Sequence, residues 1–335
     1  MSARGSAPLV VISMGCPSGI GPEVAVAAAA KLGSVRAVLV GDVGTLLEAA
    51  ALVRVSERRL VPFDGKPPPR GALALVQAGP PLPPRSRRPG KPSRAAGAAQ
   101  LAAIESAYRL AKKVPGSALV TGPVSKHAIA TSRVPGAARF IGHTEWLERL
   151  DGAKRSVMCF VGGGLSTSLV TTHVPVSRVP KLLTPEAVAE ATLGLAKLLA
   201  ALGKRSPRVV VASLNPHAGE GEMFGAEERR AIAPGIELAR SRMRGVRITG
   251  PLGAETAFRK ARDGVFDGVV AMYHDQATIP MKLVAFGEAV NVTMGLSIVR
   301  SSVDHGTAYD IAWKGQADPR GMLSAIELGA RLARG

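Results

Sequence analysis

Residues 9–32 read LVVISMGCPSGIGPEVAVAAAAKL, and this stretch joins a strand, a glycine-rich loop and a helix. The apolar, β-branched run Leu9–Ser13 predicts a strand, and Glu23–Leu32 predicts an alanine-rich helix that follows Pro22. The alternation of strands and helices continues to Gly321–Leu332, which predicts the last helix. Such alternation is typical of an α/β fold with a mostly parallel sheet and helices on both faces.

Further along the chain, the same patterns predict elements of both kinds. The predicted strands are Ala37–Val40, Ala118–Thr121, Ser156–Val161, Leu165–Thr172, Arg208–Ser213 and Val269–Met272. The predicted helices are Val43–Val53, Ala95–Lys113, Val124–Ala130, Pro185–Leu202 and Ala226–Arg240. The two strands on either side of Gly162–Gly164 predict a hairpin. Residues 54–94 are rich in proline, glycine and arginine and predict the loosest part of the chain.

Composition indicates a globular protein of a reducing compartment. The chain has 335 residues, of which 46% are hydrophobic, enough for a large core in one domain or two lobes. Its two cysteines, Cys16 and Cys159, cannot form a disulfide framework. The sequence contains no recognisable signal peptide and no apolar run of about 20 residues, which a spanning helix needs. We therefore expect a cytoplasmic protein.

The net charge of +18 favours anionic partners. The basic residues are scattered, and aromatic residues are only 4% of the chain, so platforms for stacking on single-stranded nucleic acid are scarce. The densest basic run, Pro84–Arg94, lies among prolines and predicts a solvated loop. We do not expect nucleic acid or a membrane as a partner, whereas small anionic substrates fit the charge.

Polar sequence follows four of the predicted strands, in the segments Thr121–Lys126, Thr171–Pro175, Asn215–Gly221 and Tyr273–Gln276. In open α/β sheets, ligands bind beyond the carboxyl ends of the strands. Three of the six histidines lie in these segments: His173, His217 and His274. Three neutral imidazoles suit a divalent transition metal with open positions, although three unrelated histidines remain an alternative.

The loop that contains Gly19 and Gly21 allows a close approach of the backbone to a ligand, and the following helix N-terminus could hold an anion. These glycines are therefore candidate cofactor contacts. The loop is not a GxGxxG fingerprint and lacks the lysine of a P-loop, so a simple helix-capping turn is the alternative. Basic, imidazole and amide or hydroxyl groups elsewhere are candidate phosphate partners: His143, Thr144, Lys282, Asn291 and Arg300.

Eight motifs run in one order along the chain. They are Gly19-Ile-Gly-Pro-Glu23, Thr121-Gly-Pro-Val-Ser-Lys126, Gly142-His-Thr-Glu145, Thr171-Thr-His-Val-Pro175, Leu214-Asn-Pro-His-Ala-Gly-Glu-Gly221, Gly250-Pro-Leu252, Met272-Tyr-His-Asp-Gln276 and Ser302-Val-Asp-His-Gly-Thr-Ala308. In these motifs the chain resembles the 4-hydroxythreonine-4-phosphate dehydrogenase family of vitamin B6 biosynthesis. The match is poorest across residues 54–88.

The resemblance implies a fold like that of isocitrate and isopropylmalate dehydrogenases, with two lobes around a cleft, rather than a Rossmann domain. Residues 1–335 would form one two-lobed catalytic unit whose lobe boundaries the sequence does not define. The resemblance also implies a homodimer with active sites at the subunit interface, a divalent metal (zinc, cobalt or magnesium) and NAD or NADP. By motif, His173, His217 and His274 would bind the metal. The substrate and its phosphate would contact His143, Thr144, Lys282, Asn291 and Arg300.

The implied reaction is oxidation, with decarboxylation, of 4-phosphohydroxy-L-threonine in pyridoxal phosphate biosynthesis. Asp275, Glu255 or a metal-bound water could be the base. Five positions depart from the family pattern: Cys16 and Glu255 replace an acidic residue and an aspartate, Gly253 and Ser297 each replace a proline, and Glu222 stands where glycine is common. A relative that acts on another phosphorylated hydroxy acid, such as 4-phospho-D-threonate, is therefore an alternative. A phosphate-transferring acetyltransferase-type enzyme, which needs neither metal nor nicotinamide, is a second.

Overall fold

The computed structural model describes residues 8–33 and 35–334. The ends of the predicted 1–335 unit therefore lie outside the described residues. The described strands are β1 (Leu9–Ser13), β2 (Arg36–Gly41), β3 (Leu60–Pro62), β4 (Leu73–Gln77), β5 (Ala118–Thr121), β6 (Val157–Gly162), β7 (Leu165–Leu169), β8 (Arg208–Ala212), β9 (Arg247–Leu252), β10 (Gly268–Ala271), β11 (Val290–Met294) and β12 (Val299–Val303). The α/β class predicted from the sequence is confirmed.

The described α-helices lie between and after these strands. They are α1 (Gly21–Ala30), α2 (Val43–Leu52), α3 (Arg94–Lys113), α4 (Lys126–Ala130), α5 (His143–Asp151), α6 (Val179–Leu182), α7 (Pro185–Ala201), α8 (Ala233–Arg242), α9 (Ala254–Arg262), α10 (His274–Ala285) and α11 (Arg320–Ala333). Capping side chains fix the N-termini of several helices, because a hydroxyl or carboxylate oxygen accepts a hydrogen bond from a free backbone N–H there. Asp42 caps α2, Ser93 caps α3 and Thr184 caps α7.

The chain divides into two compact units. The first unit takes in the residues up to Lys154 and those from Leu296 onward, and the second unit is Arg155–Gly295. In the first unit, six parallel strands pair in the order β3-β4-β2-β1-β5-β12. Successive residues of β5 face opposite sides of this sheet. Leu119 lies in the apolar core under α3, whereas Ala118 and Val120 contact Gly329 of α11.

The second unit has a mixed sheet in the order β11-β6-β7-β10-β8-β9. The pairs β11–β6 and β6–β7 are antiparallel, so the predicted hairpin is confirmed. The pairs β7–β10, β10–β8 and β8–β9 are parallel. One face of the sheet packs on α9 and α10, with Val269 and Met281 in the shared core. The other face packs on α7, where Ser168 Oγ donates a hydrogen bond to Ala191 O at 2.9 Å.

Residues 54–94 are more ordered than their composition predicts, and the prediction of a loose segment is wrong in two places. β3 and β4 lie within this range and extend the parallel sheet from β2. The basic run Pro84–Arg94 is only partly solvated, because Arg87 is largely buried. Its guanidinium donates hydrogen bonds to Leu82 O and to Glu48, and its Nε atom lies 3.7 Å from the Asp42 carboxylate.

No helix among residues 8–33 and 35–334 combines the length and the apolar character needed to cross a membrane.

Candidate functional site

Three of the four polar segments predicted at strand ends follow neighbouring strands of the second unit. Strand β10 pairs in parallel with β7 on one side and with β8 on the other, so the carboxyl ends of all three lie at the same edge of the sheet. His173, His217 and His274 follow β7, β8 and β10 respectively. The parallel order of these strands is therefore the reason that imidazoles far apart in sequence are brought to one edge.

His173 and His274 form a pair. Their ring centroids are 5.7 Å apart, and both rings line an open cavity of about 200 Å³ together with Thr172, Tyr273 and Asp275. The Nδ1 atom of His274 lies 2.7 Å from Oδ1 of Asp275. This contact orients the ring and leaves Nε2 available for a ligand, which is the usual second contact of a metal-binding histidine.

His217 lies on the loop after β8, in a turn of unusual backbone. Its φ is +51°, and that of Ala218 is +55°, so both occupy the left-handed region. The His217 ring packs near Phe224, with 6.3 Å between the centroids. Glu228, which sequence reasoning did not single out, holds the entry to this loop, because its buried carboxylate accepts the backbone N–H groups of Leu214 and Asn215 at 2.9 and 2.8 Å.

A glutamine side chain ties the ends of two histidine-bearing strands together. Gln276 accepts the N–H of Met272 at 2.6 Å and donates to Ser213 O at 2.8 Å, which links the end of β10 to the end of β8. Sequence reasoning placed Gln276 in a polar segment but gave it no role. The signal was its spacing of two residues from His274, which puts both side chains in the first turn of α10.

The donor set suits a divalent transition metal, since paired neutral imidazoles beside an open cavity are common ligands of such ions. In the part of the chain that the structure describes, however, no three His, Cys, Asp or Glu side chains lie close enough together to hold a metal ion. His173 and His274 therefore provide a two-imidazole half-site. A third donor has to approach them, and His217 at the same edge of the sheet is the predicted one.

The two predicted carboxylate bases differ in their surroundings. Asp275 lines the same cavity as the histidine pair. Glu255 lies in the first turn of α9, exposed and hydrogen-bonded to Thr256 and Arg259. These hydrogen bonds, first from Thr256 and then from Arg259, hold the pKa of Glu255 below its ordinary value. A lowered pKa makes Glu255 a weaker base than an ordinary glutamate.

Lys282 and Asn291, predicted to bind substrate, also belong to the second unit. Lys282 is exposed on α10, eight residues after His274, and Asn291 is half-buried on β11. The remaining predicted substrate contacts belong to the first unit.

In the first unit, Arg300 and His143 form the centre of a candidate anion site. Arg300 lies on β12 with a side chain that is 2% exposed, and its Nη2 donates a 2.7 Å hydrogen bond to Thr121 Oγ1 on the neighbouring strand β5. Burial lowers the pKa of Arg300 to about 10, so the guanidinium remains charged at neutral pH. A buried cation of this kind favours an anionic ligand.

His143 and Thr144 begin α5 in the same unit. Burial, together with the nearby cations Arg300 and Lys126, holds the pKa of His143 well below its usual range, so the imidazole is neutral. Its Nε2 atom is sealed from solvent and makes no hydrogen bond among the described residues. A neutral imidazole with an unused nitrogen can donate to or accept from a bound substrate.

Gly19 and Gly21 are buried against the chain's own backbone. A Cβ atom on Gly19 would lie 2.7 Å from Thr307 O, and one on Gly21 would lie 2.4 Å from Met14 O. The N–H of Ile20 donates to Thr307 O at 3.0 Å. Close packing therefore explains why both positions are glycine, as in the helix-capping alternative, and the proposed contact with a cofactor stays a prediction.

Cys16, the departure in the same loop, is buried, and burial raises the pKa of its thiol. Its Sγ atom lies 3.5 Å from the Tyr309 hydroxyl. The position therefore carries a neutral group, whereas the sequence resemblance predicts an acidic residue there.

Comparison with known proteins decides the family. The sequence profile of the pyridoxal phosphate biosynthetic protein PdxA matches residues 34–329. A 4-hydroxythreonine-4-phosphate dehydrogenase from Desulfosudis oleivorans is 43% identical over 328 residues, which cover 96% of this chain and 95% of that protein.

The chain belongs to the PdxA family. Two further PdxA relatives bear on its function. The 4-hydroxythreonine-4-phosphate dehydrogenase of Klebsiella pneumoniae has a solved structure that is similar with a TM-score of 0.84 and 34% identity, over 97% of this chain and 99% of that one. A putative D-threonate 4-phosphate dehydrogenase from Bradyrhizobium diazoefficiens is 38% identical, over 97% of each chain. These relatives are dehydrogenases, so the PdxA family assignment places the chain among the oxidoreductases.

Proposed function

We propose that this protein oxidises 4-phosphohydroxy-L-threonine with NAD or NADP and a divalent metal, and that the oxidised product loses carbon dioxide on the route to pyridoxal phosphate. The observation that carries the proposal is the His173–His274 pair, which lines an open cavity at the carboxyl ends of parallel strands. Membership of the PdxA family supports the reaction. We place the reaction in the cytoplasm.

His173, His217 and His274 are the residues that would hold zinc, cobalt or magnesium. When bound, the metal would act as a Lewis acid that lowers the pKa of the substrate hydroxyl. The chain's own part is to orient the imidazoles: Asp275 fixes the His274 ring, and Gln276 joins the ends of β8 and β10. Holding ligands in register in this way reduces the reorganisation needed at binding.

Asp275 is the base that we favour for the hydroxyl proton. Its carboxylate lines the cavity beside His173, whereas Glu255 is held by Thr256 and Arg259 on α9. A general base must lie within hydrogen-bond reach of the proton that it removes, and Asp275 borders the cavity whereas Glu255 is not among the residues that line it. A metal-bound water is the remaining alternative.

Anionic groups of the substrate would be bound by His143, Thr144, Lys282, Asn291 and Arg300. Arg300 supplies a buried charge held in place by Thr121, and His143 supplies a neutral imidazole nitrogen with no partner among the described residues. Phosphate binding at groups away from the reacting carbon provides register for the reaction.

A homodimer with active sites at the subunit interface completes the proposal. Helix α10 begins at His274 and presents the exposed apolar side chains of Ile279 and Leu283, which are 60% and 81% exposed, and Phe286, directly after the helix, is 83% exposed. Exposed apolar groups of this kind mark interaction surfaces. Coverage of these side chains by a second copy would bring a partner surface close to the end of β10.

Oxidation of 4-phospho-D-threonate is the second candidate function. It is favoured by the Bradyrhizobium relative, a putative D-threonate 4-phosphate dehydrogenase. The two substrates differ in charge, because phosphohydroxythreonine carries an ammonium group that threonate lacks. The neutral Cys16 at a position where the family pattern has an acid makes this difference worth testing.

The test is nicotinamide reduction by purified protein loaded with zinc, cobalt or magnesium. Each substrate is offered separately with NAD and with NADP, and kcat/KM is compared. A higher kcat/KM for 4-phosphohydroxy-L-threonine supports the proposal, and preference for 4-phospho-D-threonate replaces it with the second candidate. No reduction with either substrate under any metal would overturn both and favour the phosphate-transferring alternative.

A further inference from the structure

The loop that carries His217 contains a turn in which the backbone φ angles are positive, called here the left-handed turn. Six consecutive residues have positive φ: His217 (+51°), Ala218 (+55°), Gly219 (+85°), Glu220 (+40°), Gly221 (+63°) and Glu222 (+74°). Four of them carry side chains, and the left-handed conformation costs an L-residue roughly 1–2 kcal/mol. Other contacts must therefore hold the turn, and strained backbone of this kind clusters at functional sites.

The entry to the turn is fixed by two neighbouring carboxylates. The side-chain amide of Asn215 donates to Glu227 Oε2 at 2.8 Å and to Glu228 Oε2 at 2.9 Å. Glu228 also accepts the backbone N–H groups of Leu214 and Asn215. These contacts fix Asn215, which precedes His217 by two residues.

The exit is fixed by an ion pair. The Arg229 guanidinium contacts both carboxylate oxygens of Glu222, through Nε to Oε1 and through Nη2 to Oε2, the latter at 3.0 Å. Two-point pairing of this kind fixes direction as well as distance. Residues 227–229, which are consecutive, therefore hold both ends of the left-handed turn.

Glu222 is the last residue of the turn, and its φ is +74°. Glycine, which the sequence resemblance leads us to expect here, adopts such a φ without the cost that a side chain brings. Glu222 adopts this φ despite the cost, and its carboxylate accepts hydrogen bonds from Arg229. Because the turn displays His217, any change in its order alters the fraction of molecules in which His217 is correctly placed.

We infer that Glu222 and Arg229 are positioning residues, whose ion pair holds the left-handed turn 217–222 and through it the direction of His217. The ordering of the turn is independent of the proposed function. The consequence for metal binding rests on the proposed function. Two measurements separate these parts.

The first measurement is hydrogen exchange of the backbone amides in metal-free protein. Met223 N donates to Glu220 O and Phe224 N to Gly219 O, so their exchange reports on the turn. In Glu222→Ala and Arg229→Ala we expect these amides to exchange at least about threefold faster, and in Glu222→Gly we expect a smaller change because the strain is also removed. The control is Glu237→Ala, which breaks another exposed pair of the second unit, with Arg240. Unchanged exchange in Glu222→Ala would overturn the inference.

The second measurement is titration with Co²⁺, followed by the visible absorption of the bound ion. Glu222→Ala and Arg229→Ala should each raise the Kd about two- to fivefold, the range expected for an exposed ion pair, and the double variant should be no weaker than either. Exchanging the charges, in Glu222→Arg with Arg229→Glu, should restore part of the affinity. Faster exchange with an unchanged Kd would overturn the positioning role. If His217→Ala leaves Co²⁺ binding intact, the proposed metal site fails, and the exchange result still decides whether the pair holds the turn.

Discussion

The two units present their candidate ligand groups in different ways. In the first unit, Arg300 and Thr121 lie on neighbouring strands, so the sheet itself holds the buried guanidinium. In the second unit, His173 and His274 line an open cavity, and His217 lies on a strained turn. The fold alone thus builds the anion site, whereas the metal site also depends on local contacts of loops. Variants should therefore affect the two sites separately.

Among variants that distinguish the anion site from the metal site, Arg300→Met is expected to have the largest effect on activity. Removing a buried, hydrogen-bonded cation costs about 2–5 kcal/mol when its anionic partner is bound, so kcat/KM for the phosphorylated substrate should fall by roughly 10²–10³-fold. Co²⁺ binding should be unchanged, because Arg300 is not one of the proposed metal ligands. Arg320→Met is the control, since Arg320 forms an exposed pair with Asp318 in the same unit. A loss of Co²⁺ affinity as large as the loss of kcat/KM would contradict the separation of the sites.

A smaller effect, on metal affinity, is expected from Asp275→Asn at the proposed metal site. The amide no longer holds Nδ1 of His274 with a charged oxygen, and loss of such a contact typically weakens metal affinity by about 10- to 100-fold. Calorimetric titration with Zn²⁺ measures the change. Glu255→Gln, which lies outside the histidine cavity, should leave the affinity within about twofold of the native protein. Equal losses in both variants would contradict the proposed role of Asp275 in orienting His274.

Much of the sheet followed from sequence because its central strands are continuous apolar runs. β1 and β5 were predicted with the bounds that they have, and α3 and α7 within one residue at each end, since apolar periodicity marks them. β3 was missed because three residues ending in a proline carry too little pattern. α10 was missed because it begins with polar residues and contains Pro280.

The candidate site was predictable in its residue types but not in its geometry. The positions of His173, His217 and His274 directly after strands were visible in the sequence, and parallel pairing of β7, β10 and β8 explains why they share an edge. The left-handed turn was not visible, because histidine and glutamate do not favour positive φ, and the contacts of Asn215 and Glu222 with residues 227–229 appear only in the structure. Arg87 was predicted to be solvated because it lies in a basic, proline-rich run. In the structure its guanidinium is largely buried and lies beside the carboxylates of Asp42 and Glu48.

The smallest effect concerns the stability of the second unit. Asp267 accepts hydrogen bonds from Arg208 N at 2.8 Å and from the Arg208 guanidinium at 3.1 Å, and Lys204 Nζ lies 3.0 Å away. These contacts, the Arg208 side chain first, hold the pKa of Asp267 well below its usual range. Asp267→Asn should lower the free energy of unfolding at pH 7 by about 1–2 kcal/mol, a modest value because Arg208 and Lys204 are partly solvated.

The pH dependence of that loss follows from the direction of the shift. A carboxylate with a lowered folded pKa stabilises the fold fully above its unfolded pKa, near 4, and the stabilisation disappears as the pH falls toward the folded pKa. Urea unfolding of native protein and Asp267→Asn should therefore give a difference that is constant from about pH 7 to 5 and shrinks below about pH 4. A difference that grows as the pH falls would contradict the assigned role of Asp267.

The most direct test of the metal-dependent reaction is His217→Ala, in which metal content and nicotinamide reduction are measured on the same preparation. If His217 is the third imidazole of the site, the variant should lose both the bound metal and activity with either phosphorylated substrate, while its circular dichroism and melting temperature stay close to those of the native protein. Retention of full activity together with undiminished metal content would contradict the assignment of His217 and, with it, the proposed three-histidine site.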